Sequence, residues 1–412
     1  MNSMEHLKNK PIAVLGGGAV GKTCAADCKL AGREVRLFDL MPFAKTSLRH
    51  LDRTGLELGG TQRNLYGFHR AGRVKLDLVT SNMAESVRGA GHIIIASPAF
   101  GHEPLFRELI PHLEDGQVIN IFTDNFGTLV LRRLMRESGC TRKVIVGGWS
   151  SAPYGTRVEN VGGLALPFVG AKYRAITLRA ATLPLTDLTD FIESTKHLPC
   201  LDAVTTGDGV APGRTVLDIG LANVNPVIHV PATILGVSTM ENWGKIFGDF
   251  NTRGYSMYAH ALCPSICEVQ YQFYNEEIAL AEAIGVDLPR YSYESFFSRR
   301  SILAQEYMGL DENGKDNMVL PLDQPTDESN PGPDSIRHRY VTEDVPVGCK
   351  IYHELGRQYG VKTPIIDSMI LLAGTMLKKN YFSEGYSLDY LGIKDMGKEE
   401  LLEYLNDGIY SR

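Results

Sequence analysis

Residues 15–23 read LGGGAVGKT, between the β-branched run IAVLG that precedes them and the helix-length segment AVGKTCAADCKLAG into which they run. No other stretch restricts the fold as tightly. Two nucleotide-binding patterns overlap in it. Gly16, Gly18 and Gly21 spell G-x-G-x-x-G, the dinucleotide fingerprint, while Gly16, Gly21, Lys22 and Thr23 spell G-x-x-x-x-G-K-T, the triphosphate loop. A triphosphate loop needs a magnesium-binding aspartate on a separate strand. A dinucleotide site needs a strand, the glycine turn, a helix, and an acidic residue about 20 positions later at the end of the next strand. The run EVRLFD supplies that residue as Asp39, 18 positions past Gly21. The spacing therefore favours a dinucleotide, with its pyrophosphate on the free N–H groups of the helix's first turn, Ala19 and Val20 included. Lys22 and Thr23 then read as first-turn helix residues. The charge of Asp39 opposes a 2′-phosphate, so NAD is favoured over NADP.

The rest of the first half continues the same rhythm. HIIIASPAF, EPLFRELIPHL, QVINIF, FGTLVLRRLMRESG and KVIVGG alternate strand-like and helix-like runs, which points to βαβ units and a parallel sheet. LELGG and VKLDLVTS, between residues 55 and 81, are expected to extend that sheet. Beyond about Asp208 the strand signal fades. SICEVQYQFYNEEIALAEAIG, VGCKIYHELGRQYG and TPIIDSMILLAGTML place apolar residues at helical spacing. The expected architecture is α/β plus all-α: a Rossmann-type dinucleotide-binding domain over residues 1–207 and a helical substrate domain over 208–412.

Composition excludes several classes. The formal charge is −6 with no long basic run, so a nucleic-acid partner is not expected. No apolar run approaches the roughly 20 residues that span a bilayer, and the N-terminus lacks a signal-peptide core, so a cytoplasmic protein without a membrane partner is expected. Seven scattered cysteines read as core thiols in a reducing compartment. DENGKDN, residues 311–317, has its glycine at the fourth position instead of the sixth of a calcium loop and reads as a turn; no metal is expected.

ANVNPVIHVPATILG (222–236) and RYVTEDVPVGCKIYHELGRQYGVKTPIIDSMI (339–370) resemble the two signature segments of the octopine/nopaline (opine) dehydrogenases. SPAFGHEPLFRELIPHLEDG and the C-terminal SLDYLGIKDMGKEELLEYLNDG are similar to further parts of that family, so the likeness runs over nearly the whole chain. FTDNFGT and GWSSAPYGTR depart from its usual patterns. The resemblance implies reductive condensation of an α-keto acid with the amine of an amino acid, through an imine reduced by NADH. It implies that His229 is the catalytic histidine, Asp344 its carboxylate partner, and Asn225 and Arg339 substrate-binding residues, with Ser97, Pro98 and Ala99 beside the cofactor. A homodimer is compatible with it.

These assignments also suit the chemistry. Imidazole exchanges protons near neutral pH, and a hydrogen-bonded carboxylate fixes its tautomer. The arginine fork fits a carboxylate in bidentate fashion. Plainer readings exist for each residue: a core histidine at 229, a helix N-cap at Asp344 with Glu343 as the alternative partner, a solvated basic cluster at Arg339, and a helix cap at His102. Two other functions share these features, a 2- or 3-hydroxy acid dehydrogenase and a non-catalytic dinucleotide-binding sensor.

Overall fold

The structure, a computed structural model, describes residues 4–161, 164–248, 254–297 and 332–410. The DENGKDN stretch, residues 311–317, lies outside them. The described residues form two compact units: one takes those up to Ile219 and the C-terminal stretch from Glu403, the other those from Gly220 to Leu402.

The first unit has twelve strands: β1 (Ile12–Leu15), β2 (Val35–Phe38), β3 (Leu56–Gly59), β4 (Gly72–Val74), β5 (Leu78–Thr80), β6 (His92–Ile95), β7 (Val118–Phe122), β8 (Ile145–Trp149), β9 (Tyr154–Val161), β10 (Leu164–Arg174), β11 (Thr177–Thr182) and β12 (Gly209–Pro212). Its larger sheet runs β12-β11-β8-β7-β6-β1-β2-β5. The six strands from β8 to β5 are all parallel, and β11 joins β8 antiparallel. That parallel run has the dinucleotide-fold order, with the reversal between β1 and β6. Its central strands β1, β6 and β7 are buried throughout and mostly apolar, as two-sided burial requires. The strand GVAP, β12, extends the first unit past residue 207; a four-residue run with a glycine and a proline carries little strand signal.

The expectation that residues 55–81 extend the parallel sheet is met only in part. β5 joins it, but β3 and β4 pair with the hairpin β9–β10 in a separate four-stranded sheet. The partner strand β10 is more than 100 residues away in sequence, so no local pattern reveals the pairing.

Helix α1 (Ala19–Leu30) packs against strands of both sheets, which is why it is built from small residues and is buried without interruption from Gly21 to Cys28. Asp27 on this helix has no exposed surface. Arg174 donates to it through both terminal nitrogens at 2.8 Å, Arg70 Nε at 2.8 Å and the Tyr154 hydroxyl at 2.5 Å. Burial alone raises the carboxyl's pKa; the hydrogen bonds and charge of Arg174 outweigh it and hold the group below the ordinary aspartate value. The first unit also contains α2 (His102–Leu109) and α3 (Gly127–Glu137).

The second unit is helical apart from a single β-bridge between Ser256 and Gly332 among the described residues. Its elements include α4 (Val224–Leu235), α5 (Pro264–Ile284), α6 (Arg339–Thr342), α7 (Lys350–Tyr359) and α8 (Pro364–Leu377), with π-helical turns at Met257–Ala261 and Val345–Cys349. α4 packs on α5 and α6, and α5 on α7 and α8. Among the described residues no helix is long and apolar enough to cross a membrane. All seven cysteines are unbridged, five of them buried.

Because Asp27→Ala leaves the buried Arg174 guanidinium uncompensated, it should cost about 3–5 kcal/mol of stability. Urea denaturation followed by the fluorescence of Trp149, buried in the same unit, measures this; a loss under about 1 kcal/mol would contradict it. With a depressed folded pKa, the contribution is present above the unfolded aspartate pKa and fades as the pH falls through the folded one, so wild type and variant should converge in acid.

Candidate active site

The glycine turn is shaped by what surrounds each position. Gly16 has φ +123°, donates its N–H to Phe38 O at 2.8 Å, and a Cβ there would stand 2.4 Å from Ala96 O. A Cβ on Gly21 would stand 1.8 Å from Gly16 O, so this glycine serves the contact between α1 and the turn. Gly18 differs: a Cβ there meets nothing within 4 Å, leaving open space at the N-cap of α1. Gly17, absent from the motif pattern, is also restricted, because a Cβ would collide with Ser47 Oγ and Asp39 Oδ2. Asp39 stands just past β2 and accepts from Gly17 N at 3.2 Å, Leu40 N at 2.9 Å and Ser47 Oγ.

Together these groups bound a cavity of about 310 Å³. Gly16, Gly18, Asp39, Ser97 and Pro98 line it, joined by residues that the motif does not specify, Ser47, Phe43 and Phe100 among them. Ala19, Val20 and Gly21 form the first turn of α1 behind the glycines, and Ala99 is fully buried instead of lining the space. Open room at a helix N-terminus, a carboxylate past the second strand and an apolar rim fit a dinucleotide. Lys22 belongs to α1, as read, but is buried; burial lowers its pKa and the charge of Asp39 partly restores it. His102 is buried and stacked on Phe106 at 5.2 Å, and burial lowers it to about 4, so its ring is neutral and away from the cavity.

The second group of site residues gathers on α4. The helix starts at Asn223, whose side chain accepts from Asn225 N at 3.1 Å, and Asn225 precedes His229 by one turn. His229 is 8% exposed. Its Nδ1 lies 2.8 Å from Asp344 Oδ2, 115 residues away in sequence. Against a carboxylate that nitrogen must carry the proton and donate it. The side chain of Asp344 makes no cap bond to the π-helical turn that it precedes. Gly348 in that turn allows the approach, since a Cβ there would stand 2.5 Å from Pro226 in the first turn of α4. Glu343 is turned elsewhere, 3.1 Å from Arg339 Nη2. Arg339 itself opens α6 with its side chain 63% exposed.

Two residues that sequence reasoning missed complete the surroundings of His229. Tyr340 stacks on the imidazole with ring centroids 3.7 Å apart, and the Tyr258 hydroxyl stands 2.9 Å from Nε2. Neither has a local signature, although Tyr340 directly follows Arg339 in the quoted RYVTEDVP segment. A wider, more open cavity of about 870 Å³ in the same unit, bordered by Lys350, Glu354, Arg357 and Lys394, contains none of the site residues. Among the described residues no cluster of His, Cys, Asp or Glu is placed to hold a metal ion.

Residues 212–377, which include both His229 and Asp344, match the family described as NAD/NADP octopine/nopaline dehydrogenase, alpha-helical domain. The chain is 26% identical over 404 residues to an opine dehydrogenase from Arthrobacter sp. (strain 1C), spanning 95% of this chain and 97% of that one. Its fold is similar to octopine dehydrogenase in complex with NADH and agmatine, with a TM-score of 0.64 at 18% identity over 98% of this chain and 99% of that one. It is also similar to NADP+-bound yersinopine dehydrogenase, with a TM-score of 0.63 at 14% identity over 98% and 100%. With a parallel sheet carrying the glycine turn and a sequence likeness over nearly its full length, the chain is similar to the octopine/nopaline (opine) dehydrogenases, and its residues 212–377 match that family's alpha-helical domain.

Proposed function

We propose that this protein is an NAD-dependent opine dehydrogenase, joining an α-keto acid to the amine of an amino acid and reducing the resulting imine. The observation that carries this reading is the 2.8 Å bond between His229 and Asp344 inside the segment that matches the family. The nicotinamide of the bound dinucleotide supplies the hydride. The chain's own groups prepare its acceptor. His229 is the acid that protonates the carbonyl or imine, and Asp344 orients it and stabilises its charged form. Asn225, one turn from His229, holds a polar substrate group. Arg339 meets a substrate carboxylate; its side chain is 63% exposed, although its guanidinium also lies 3.1 Å from the buried Glu343 carboxylate.

The dinucleotide occupies the cavity bounded by Gly16, Gly18, Asp39, Ser97 and Pro98, backed by Ala19, Val20, Gly21 and Ala99. Asp39 supports NAD over NADP. Its carboxylate can accept from ribose hydroxyls, whereas a 2′-phosphate would bring like charges together. The cytoplasm, where NADH and keto acids are at hand, is the compartment that suits this chemistry.

Variants of the dyad test the reading. His229→Ala and Asp344→Asn should each lower kcat by about 10²–10⁴-fold in NADH oxidation with an α-keto acid and an amino acid, while NADH affinity persists. Because the two groups act together, the double variant should be little worse than the poorer single one. Near-normal turnover by Asp344→Asn would contradict the pairing, and equal catalytic efficiency with NADPH in the wild type would contradict the choice of NAD.

Gly18→Val tests the cofactor site without disturbing the fold. A Cβ at this position meets nothing within 4 Å, so the melting temperature should hold while NADH affinity falls by more than about tenfold, as expected where backbone must approach pyrophosphate. Calorimetric titration with NADH measures this; unchanged affinity would place the pyrophosphate elsewhere. Hydrolysis of ATP that vanishes in Lys22→Ala would instead restore the triphosphate reading.

A further inference from the structure

His229 has no idle nitrogen. Nδ1 is committed to Asp344, Nε2 faces the Tyr258 hydroxyl at 2.9 Å, Tyr340 covers a ring face, and 8% of the residue is exposed. With Nδ1–H donating to the carboxylate, the neutral ring offers Nε2 as an acceptor for the phenol proton. Once the ring is protonated, Nε2–H donates to the phenol oxygen instead. Tyr258 is the more exposed of the two residues. The hydrogen-bonded chain Asp344–His229–Tyr258 therefore reaches a partly exposed residue whose hydroxyl can both give and receive a proton.

The placement of Tyr258 is built into the fold. It lies in the π-helical turn Met257–Ala261, a rare form concentrated at functional sites. Three contacts hold that turn against its neighbours. Met257 N donates to Gly332 O at 2.9 Å, Thr233 Oγ1 on α4 lies 3.4 Å from Met257 Sδ, and Gly236 admits the turn closely because a Cβ there would stand 2.9 Å from Ala261 Cβ.

We propose that Tyr258 is a further catalytic residue, the group that carries protons between His229 and the substrate. The inference rests on the reading of His229 as the acid. An amino acid's ammonium must first lose a proton before its nitrogen can attack the keto carbon. Tyr258 takes that proton on its oxygen as its own passes to Nε2, leaving His229 protonated. Addition of the amine then gives a carbinolamine, whose hydroxyl must leave. The Tyr258 O–H donates to that oxygen as the C–O bond breaks and the nitrogen lone pair forms C=N. Water departs, the phenol oxygen takes the Nε2 proton, and His229 returns to neutral. The iminium left behind is ready for hydride, and no proton has been gained or lost by the protein over the cycle.

Tyr258→Phe keeps the ring against His229 and removes only the hydroxyl. With pyruvate and the amino acid that supports the fastest NADH oxidation, kcat should fall by about 10²-fold, in the range of a lost acid–base group, with NADH affinity unchanged. Tyr258→Ala should fall to the same level, because the hydroxyl and not ring packing is what matters. His229→Ala is measured alongside. If His229→Ala is crippled and Tyr258→Phe turns over normally, the relay is wrong while the reading of His229 stands. Should both turn over normally, that reading has failed and the relay fails with it. A rise in kcat/KM for Tyr258→Phe would also overturn the relay, showing that the hydroxyl only occupies the substrate's place.

Discussion

The first unit depends on a carboxylate that water does not reach. Asp27, on the helix that follows the glycine turn, is held by Arg174, Arg70 and Tyr154. Arg174 and Tyr154 come from the second sheet, so these bonds tie α1 to that sheet while the helix also packs on β1 and β2 of the first. A helix packed against two sheets favours small side chains, and the buried run of α1 is alanine, cysteine, glycine and threonine apart from Lys22 and Asp27. The same packing fixes its N-terminus. Gly21 rests on the carbonyl of Gly16, and the open space at Gly18 lies where that packing ends.

The second unit solves a similar problem around a histidine. A buried imidazole must satisfy both nitrogens or lose the hydrogen-bond energy of each. Here the partners are brought by two π-helical turns, one preceded by Asp344 and one containing Tyr258. Each turn comes close to α4 at a glycine contact, Gly348 against Pro226 and Gly236 against Ala261. The ring is thus oriented by backbone packing as well as by its own hydrogen bonds, which is the preorganisation that acid–base chemistry requires.

What could be read in the sequence follows from how local the determinants are. Strand, glycine turn, helix and Asp39 are contained in fewer than 30 residues, and the pattern located them because each element signals its own period. The helices of the second unit were legible for the same reason. His229 and Asp344, by contrast, are 115 residues apart, and only the family resemblance of their two segments suggested a pair. Tyr258 had no such support, since its role depends on a π-helical turn that composition does not announce. The second sheet escaped notice because β3 pairs with the distant β10, and nothing local to Asp27 announces Arg174, 147 residues away in sequence.

The proposed reaction requires an amine as a substrate. The direct measurement is the initial rate of NADH oxidation by a panel of α-keto acids, each with and without a panel of amino acids, with products identified by mass spectrometry. An opine dehydrogenase should show negligible oxidation by any keto acid alone, rapid oxidation when a suitable amino acid is added, and a secondary amine that joins the two. Equal rates with and without the amine, yielding the 2-hydroxy acid, would contradict it.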